Sequence, residues 1–325
     1  MVSLTLTTLF VLSPLLGVWL GFTPLGLVAG AVLVPLAEGL VGPRSLGPPV
    51  AAVAWQRLLL AAVILQVPWA AWQGTQLPLA QALGLALSMG YVSGGIGIVL
   101  AHELGHRRGA LDVNLSRVLL ALVLWGPYRL EHNLGHHRWV ATDRDAASAR
   151  ADQSLPGFLP GYVVGVYRHG VALGNRRGWW RNESLGLVAL GVLIGLLLWW
   201  RWGPLATGLW AVQAVLAVLL VAAVDYVEHW GLRRAIVDGR PARLTDSHTW
   251  DCANGVADAL LFNLPRHAHH HRAGEVPAGA LQRTPAAPQL PTGYAGMVLL
   301  AWLPPLWFAV MRPRLRALQA QGNTP

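Results

Sequence analysis

Nine of the ten histidines in four short runs are the residues of this sequence best suited to chemistry. The runs are His102-Glu103-Leu104-Gly105-His106, Glu131-His132-Asn133-Leu134-Gly135-His136-His137, Glu228-His229 and His267-Ala268-His269-His270-His271. Imidazole suits Zn, Cu, Fe and Ni. On a helix, residues three and four apart share a face, so His102 with His106, His132 with His136, and His267 with His270 and His271 are each expected to converge on one point. A tetrahedral zinc ion takes at most four ligands. Two metal ions with four or five imidazoles each would use His102, His106, His132, His136, His137, His229, His267, His270 and His271, and would leave open positions for oxygen. The metal charge is then uncompensated, and Glu103, Glu131, Asp225 and Glu228 are the candidate acceptors for the far ring N–H groups. His169, alone in a basic loop, reads as a solvated side chain, and His248 and His269 as supporting or surface residues. The single cysteine, Cys252, makes no intrachain disulfide or thiolate cluster and reads as inert.

These runs must be positioned by apolar elements. Of 325 residues, 54% are hydrophobic and 12% charged, too little polar surface for a soluble globule of this size. Apolar blocks of about the ~20 residues that cross a bilayer, uncharged apart from Glu38, lie at 2–22, 25–41, 58–72, 77–100, 185–200 and 205–224. The expected fold is therefore all-α: a polytopic membrane protein of about six transmembrane helices under a cytoplasmic, histidine-rich di-metal cap. The first block lacks a basic leader and runs through Thr23-Pro24 straight into the second, so it reads as a span rather than a signal peptide. All 24 basic residues are arginine, and with the N-terminus inside, all but Arg201 fall on the histidine side. Topology thus accounts for the net charge of +9, with no need for a nucleic-acid partner.

The chain is expected to be one integral-membrane domain, 1–325: four spans over 1–100, a cytoplasmic segment over 101–183, two spans over 184–224, and a cytoplasmic and interfacial segment over 225–325. The stretch 115–128 is apolar enough to lie on or dip into the membrane. Pro304-Pro305 would break a spanning helix, so 297–311 reads as interfacial or re-entrant. The arginine-bearing C-terminal tail reads as mobile. The small-residue lane Gly90 to Gly97 suits close helix packing first and a path for a straight-chain substrate second. Trp55, Trp69 and Trp72 suit interfacial anchoring.

The motifs HELGH at 102–106, EHNLGHHR at 131–138 with VATDRDAASAR at 140–150, DYVEHWGLRR at 225–234, LPRHAHHH at 264–271 and LPTGYAGM at 290–297 resemble those of the integral-membrane alkane 1-monooxygenases, within the fatty acid desaturase and hydroxylase superfamily. That resemblance implies a non-haem di-iron centre (Fe2+/Fe3+) held by the nine histidines, with molecular oxygen as co-substrate. It implies terminal hydroxylation of medium- or long-chain alkanes to primary alcohols. Electrons would come from a rubredoxin, or a ferredoxin, with an NADH-dependent reductase, in the inner (plasma) membrane. The chain departs from the pattern at Arg107, Asp225, Trp230, Pro265 and Ala268-His269, the last replacing the usual Ser-Asp. Arg233, Arg234, Arg240 and Arg243 could dock an acidic donor or serve topology and anionic lipid alone.

The alternative function is a fatty acyl desaturase or hydroxylase using the same kind of di-iron site; His229 and the LPTGY segment favour the alkane branch. A membrane zinc protease is suggested by HELGH alone but leaves seven clustered histidines unused. A metal transporter would place ionisable groups within the spans, where only Glu38 stands out.

Overall fold

In a computed structural model, residues 1–47 and 52–321 are described; part of the Pro/Gly loop after the second apolar block and the last four residues lie outside them. The fold is almost wholly helical. Among the described residues, four helices are long and apolar enough to cross a membrane: α1 (Val2–Trp19), α3 (Val53–Gly74), α4 (Leu79–Gly105) and the 47-residue Glu183–His229, with the shorter apolar α2 (Leu25–Val41) between α1 and α3. The longest is broken at Gly203, whose φ of 83° and ψ of −178° lie outside the helical region and are open to a residue without Cβ. Its two arms, α8 (183–202) and α9 (204–229), fold back on each other. Thr207 Oγ1 donates to the Gly195 carbonyl at 3.2 Å, a contact that a continuous helix would not allow between residues twelve apart.

The apolar helices bind through small residues, as expected where lipid removes the hydrophobic incentive to associate. Ser88 of α4 accepts from Gly26 N (3.1 Å) and donates to the Thr23 carbonyl (2.7 Å), stitching α4 to the start of α2. Gly90 and Gly94 bring the α4 backbone onto α9, where an added Cβ would lie 2.9 Å from the Gln213 and Ala217 backbones. The small-residue lane is therefore chiefly a packing device, and its Ser93–Gly97 turn is π-helical.

The stretch 115–128 does insert among the helices, but as two pieces. α5 (Ala110–Leu122) stops where Leu124 takes φ 53° and Gly126-Pro127 follows. Its orphaned Leu122 carbonyl accepts from Trp210 Nε1 (2.8 Å) and Gln213 Nε2 (3.1 Å) of α9. A second helix, α6 (128–139), carries the next histidine run. α7 (Leu155–Gly174) was not separately foreseen within the polar segment; Ser154 caps it.

After α9 come a small hairpin of β1 (Ile236–Val237) and β2 (Arg240–Pro241), then α10 (Gly255–Leu260) and α11 (His267–Arg272). The stretch 297–311 is not one span. α12 (Tyr294–Ala301) ends before Leu303, and Pro304-Pro305 occupy the first turn of α13 (Pro304–Ala320), where a missing N–H costs nothing. The arginine-bearing tail is thus helical through Ala320 rather than loose, and Leu315 is buried against Gly231.

Candidate metal centre

The nine histidines assemble into two adjoining groups. His102, His106, His132, His137 and His270 form one, and His136, His229, His267 and His271 the other; within each, the candidate ligand nitrogens lie within 4.8 Å of one another. In the first, His102 Nε2 is 2.7 Å from His132 Nε2, 3.1 Å from His270 Nε2 and 3.2 Å from His106 Nε2. In the second, His271 Nε2 is 3.0 Å from His267 Nε2 and 3.2 Å from His136 Nε2. Metal–imidazole bonds of about 2.0–2.1 Å put neighbouring ligands about 2.9–3.4 Å apart, from octahedral to tetrahedral, so the residues present fit an ion in each group. Lone pairs aimed at one point would repel without a cation between them.

The elements account for this assignment. α4 delivers His102 and His106 at its end, and α9 delivers His229. Consecutive histidines part company: His136 and His270 go to different groups from His137 and His271. The expected convergence of His132 with His136 is not what the fold builds. Residues 132–136 form a π-helical turn, which shifts the shared face from i,i+4 to i,i+5. His132 Nε2 accordingly meets His137 Nε2 at 3.1 Å, and His136 turns to the other group. Likewise His267 is joined by His271, while His270 crosses to His102.

Burial, reinforced by neighbouring rings, holds His132, His137, His270 and His271 well below the usual imidazole range; for His267 burial and His136 do so, and burial with Arg129 pushes His106 down to about 4. They are therefore neutral, as ligands must be. His136 differs. Burial lowers it, but Asp145 outweighs that and pushes it up to about 9.

Asp145 is the functional residue the sequence reading missed. Its Oδ2 is 3.0 Å from His136 Nδ1, and it is fixed by Ser148 Oγ (2.5 Å) and Ala147 N (3.2 Å). The signal was present in the run after His136, Thr142-Asp143-Arg144-Asp145-Ala146-Ala147-Ser148. The four carboxylates expected in that role are used otherwise. Glu103 binds Arg107 and Ala278 N, Glu131 faces His169 at 3.8 Å, and Asp225 accepts from Tyr162. Glu228 lies 3.2 Å from His267 Nε2, the inward nitrogen rather than the far one. None of the four is hydrogen-bonded to a far ring N–H, and Glu131 Oε1 is buried without a hydrogen-bond partner. His169 is half-buried against Glu131 rather than simply solvated.

At the altered fourth run, Ala268 N donates to Asp251 Oδ1 at 2.7 Å, so a buried carboxylate from outside the run sits where the usual Asp is absent. His269 is a surface residue that accepts from Gln282 N, and His248 caps the turn at Thr245. Arg233 and Arg234 tie the chain after α9 to the Ser148 and Arg138 carbonyls. Arg240 and Arg243 are exposed. Trp55, Trp69 and Trp72 are not among the residues lining the cavity described next. Cys252 is buried and unpaired by disulfide.

A largely apolar cavity, walled by α2, α4 and α9 and also by Ala257 and Leu260 of α10 and Tyr294 and Val298 of α12, reaches His102, His132 and His267. With this geometry in hand, the chain can be compared with known proteins. The fatty acid desaturase family profile matches residues 77–301. The chain belongs to that family, with the alkane 1-monooxygenases. It is 41% identical to alkane 1-monooxygenase 1 of Pseudomonas aeruginosa over 73% of this chain and 65% of the relative, just under two thirds of its length. It is 37% identical to alkane 1-monooxygenase 2 of the same organism (89% and 82%) and 32% identical to the alkane 1-monooxygenase of Pseudomonas putida (95% and 84%). Family membership agrees with a metal site of clustered histidines beneath which apolar helices cross a membrane.

Proposed function

We propose that the protein hydroxylates the terminal methyl of medium- or long-chain alkanes with molecular oxygen. The observation that carries this reading is the largely apolar cavity reaching His102, His132 and His267, which offers a hydrocarbon end a path to the histidine groups. His102, His106, His132, His137 and His270 would hold one iron ion, and His136, His229, His267 and His271 a second. Bound iron supplies the reductive activation of oxygen. The balance is one alkane, one oxygen molecule, two electrons and two protons giving a primary alcohol and water.

The chain's own residues do the rest. The cavity walls strip water from the substrate and hold its end against the inward-facing imidazoles. Asp145 fixes the tautomer of His136 so that Nε2 carries the lone pair. With six spans and the N-terminus inside, all but one of the arginines would lie on the histidine side, which supports an active site facing the cytoplasm from the inner membrane. An alkane then arrives from the bilayer, and a small redox protein, a rubredoxin or ferredoxin with its NADH-dependent reductase, from the water. The whole chain, 1–325, acts as one integral-membrane domain with about six spans.

The test is product analysis by gas chromatography and mass spectrometry. Membranes containing the protein, a rubredoxin, its reductase and NADH are given mixed alkanes and fatty acyl substrates under heavy oxygen. A primary alcohol carrying one labelled oxygen is expected. An unsaturated acyl product, or hydroxylation of acyl chains alone, would overturn the reading in favour of a fatty acyl desaturase or hydroxylase.

A further inference from the structure

We propose that a polar cleft between the end of α4 and the loop after α11 is the route by which iron enters and leaves from the water, so that the five-histidine group exchanges its ion readily and the four-histidine group is sealed behind it. This deepens the two-ion reading above and rests on it. The nine histidines are unequally covered. His106 and His137, both of the five-histidine group, are half-buried, whereas all four members of the other group are buried.

The substrate cavity is no path for an ion. Its wall is largely apolar, and a divalent cation would have to shed its hydration shell before it met a ligand. The polar cleft has a different lining: Glu103, Asp112 and Glu275 border it, together with Arg107, Arg108 and His106 itself. A second polar cleft, beside Asp145 and His169, touches none of the nine histidines. An ion passing through the first thus meets His106 as its first imidazole.

One short loop covers this end. Residues 273–277 follow α11 directly, and Gly274 lies so close over His137 that a Cβ there would be 3.2 Å from its Cε1. The next residue, Glu275, pairs across the cleft with Arg108, just beyond the end of α4, at 3.0 Å. The other two carboxylates are buried and fixed. Glu103 holds Arg107 at 3.1 Å and Ala278 N at 3.2 Å, and Asp112 holds Arg57 at 2.6 Å. The Arg108–Glu275 pair is the one that yields: its side chains are 89% and 85% exposed, and ion pairs so open to solvent hold a contact only weakly. α4 carries His102 and His106, and α11 carries His267, His270 and His271. Parting the pair therefore loosens the seam between two ligand-bearing helices at its water-facing edge. The effect is on the rate of exchange and not on affinity at equilibrium.

The experiment incubates the reduced two-iron protein in lipid nanodiscs, without oxygen, with an excess of ferrous iron enriched in the Mössbauer-active isotope, and follows incorporation by Mössbauer spectroscopy. Early incorporation is expected at one site only, with the spectrum of the iron retained by His271→Ala, in which the five-histidine group is intact. Arg108→Ala and Glu275→Ala should keep two irons per chain and speed this early phase by up to about five-fold, the most that an exposed pair contributes. Glu275→Cys coupled to a bulky thiol reagent should slow it below the parent, and release of the reagent should restore the fast rate; Cys252 is buried and does not compete. Equal rates at both sites, or early incorporation with the spectrum of His270→Ala, would overturn the sealed order. An early phase unmoved by the alanine substitutions and by the bulky adduct would overturn the route past residues 108 and 275. A parent that holds a single iron would instead overturn the two-ion reading on which the route depends.

Discussion

Asp145 Oδ2 lies 3.0 Å from Nδ1 of His136, the one histidine of the second group that burial does not leave neutral. The carboxylate locks the ring so that Nε2 faces His271 and raises the basicity of the imidazole against the effect of burial. Such acceptors behind a ligand typically govern metal affinity by about 10–100-fold. Asp145→Asn should therefore lower the affinity of the four-histidine group by about that factor and leave the five-histidine group loaded. Metal content after graded chelation, read by mass spectrometry, checks this; equal loss from both groups would contradict it.

Glu38 is the acid within the second apolar block, and its role is structural. Buried, it accepts from Ala295 N (3.1 Å) and Gly296 N (2.9 Å), capping the first turn of α12, while Gly293 leaves room for the carboxylate. Removing an acceptor and stranding buried donors costs about 1–3 kcal/mol per group. Glu38→Ala is expected to lower the detergent melting temperature by several degrees, with Gly293→Ala acting in the same direction because its Cβ would run into the carboxylate. A melt indistinguishable from the parent for both variants would show that α12 needs no such cap.

The legibility of this molecule in its sequence follows from which signals are local. The helical class and the membrane setting were readable because hydrophobic length is a property of a block, and the nine histidines because their spacing places each run on a helix face. The pairing of His132 with His137 was not readable, since a π-helical turn changes the shared face without changing composition. Nor was Asp145, whose approach to His136 depends on how the loop after Trp139 folds back through Ser148. The two-piece form of 115–128 depends on Trp210 and Gln213, distant in sequence, capping Leu122. Where a contact joins remote segments, the local pattern carried no trace of it.

Asp251 supplies a pH dependence. Burial holds its carboxyl up at about 7, against the hydrogen bond from Ala268 N, whereas in the unfolded chain it titrates near ~3.9. A carboxyl raised in the folded state keeps its proton where the unfolded chain has lost it. Its contribution is therefore present in full below pH ~4 and is lost as pH rises to about 7. Asp251→Asn cannot ionise and still accepts from Ala268 N. The difference in melting temperature between Asp251→Asn and the parent should move in favour of the variant between pH ~4 and about 7 and flatten above that. A difference that stays constant across this range would place the Asp251 carboxyl at its ordinary value.

The separation of His270 from His271 gives the sharpest test of two ions. Adjacent on α11, they serve different groups: His270 Nε2 is 3.1 Å from His102 Nε2, and His271 Nε2 is 3.2 Å from His136 Nε2. If each group holds one ion, His270→Ala and His271→Ala each reduce iron from two per chain towards one, and they empty different sites. The two residual single-iron proteins should then differ in Mössbauer parameters, since one ion keeps four imidazoles of the second group and the other the five of the first. Both should lose alkane turnover, because the substrate end meets His102, His132 and His267, which are drawn from both groups. Two variants with the same residual spectrum, or a parent holding only one iron at full activity, would mean that the nine histidines serve a single ion.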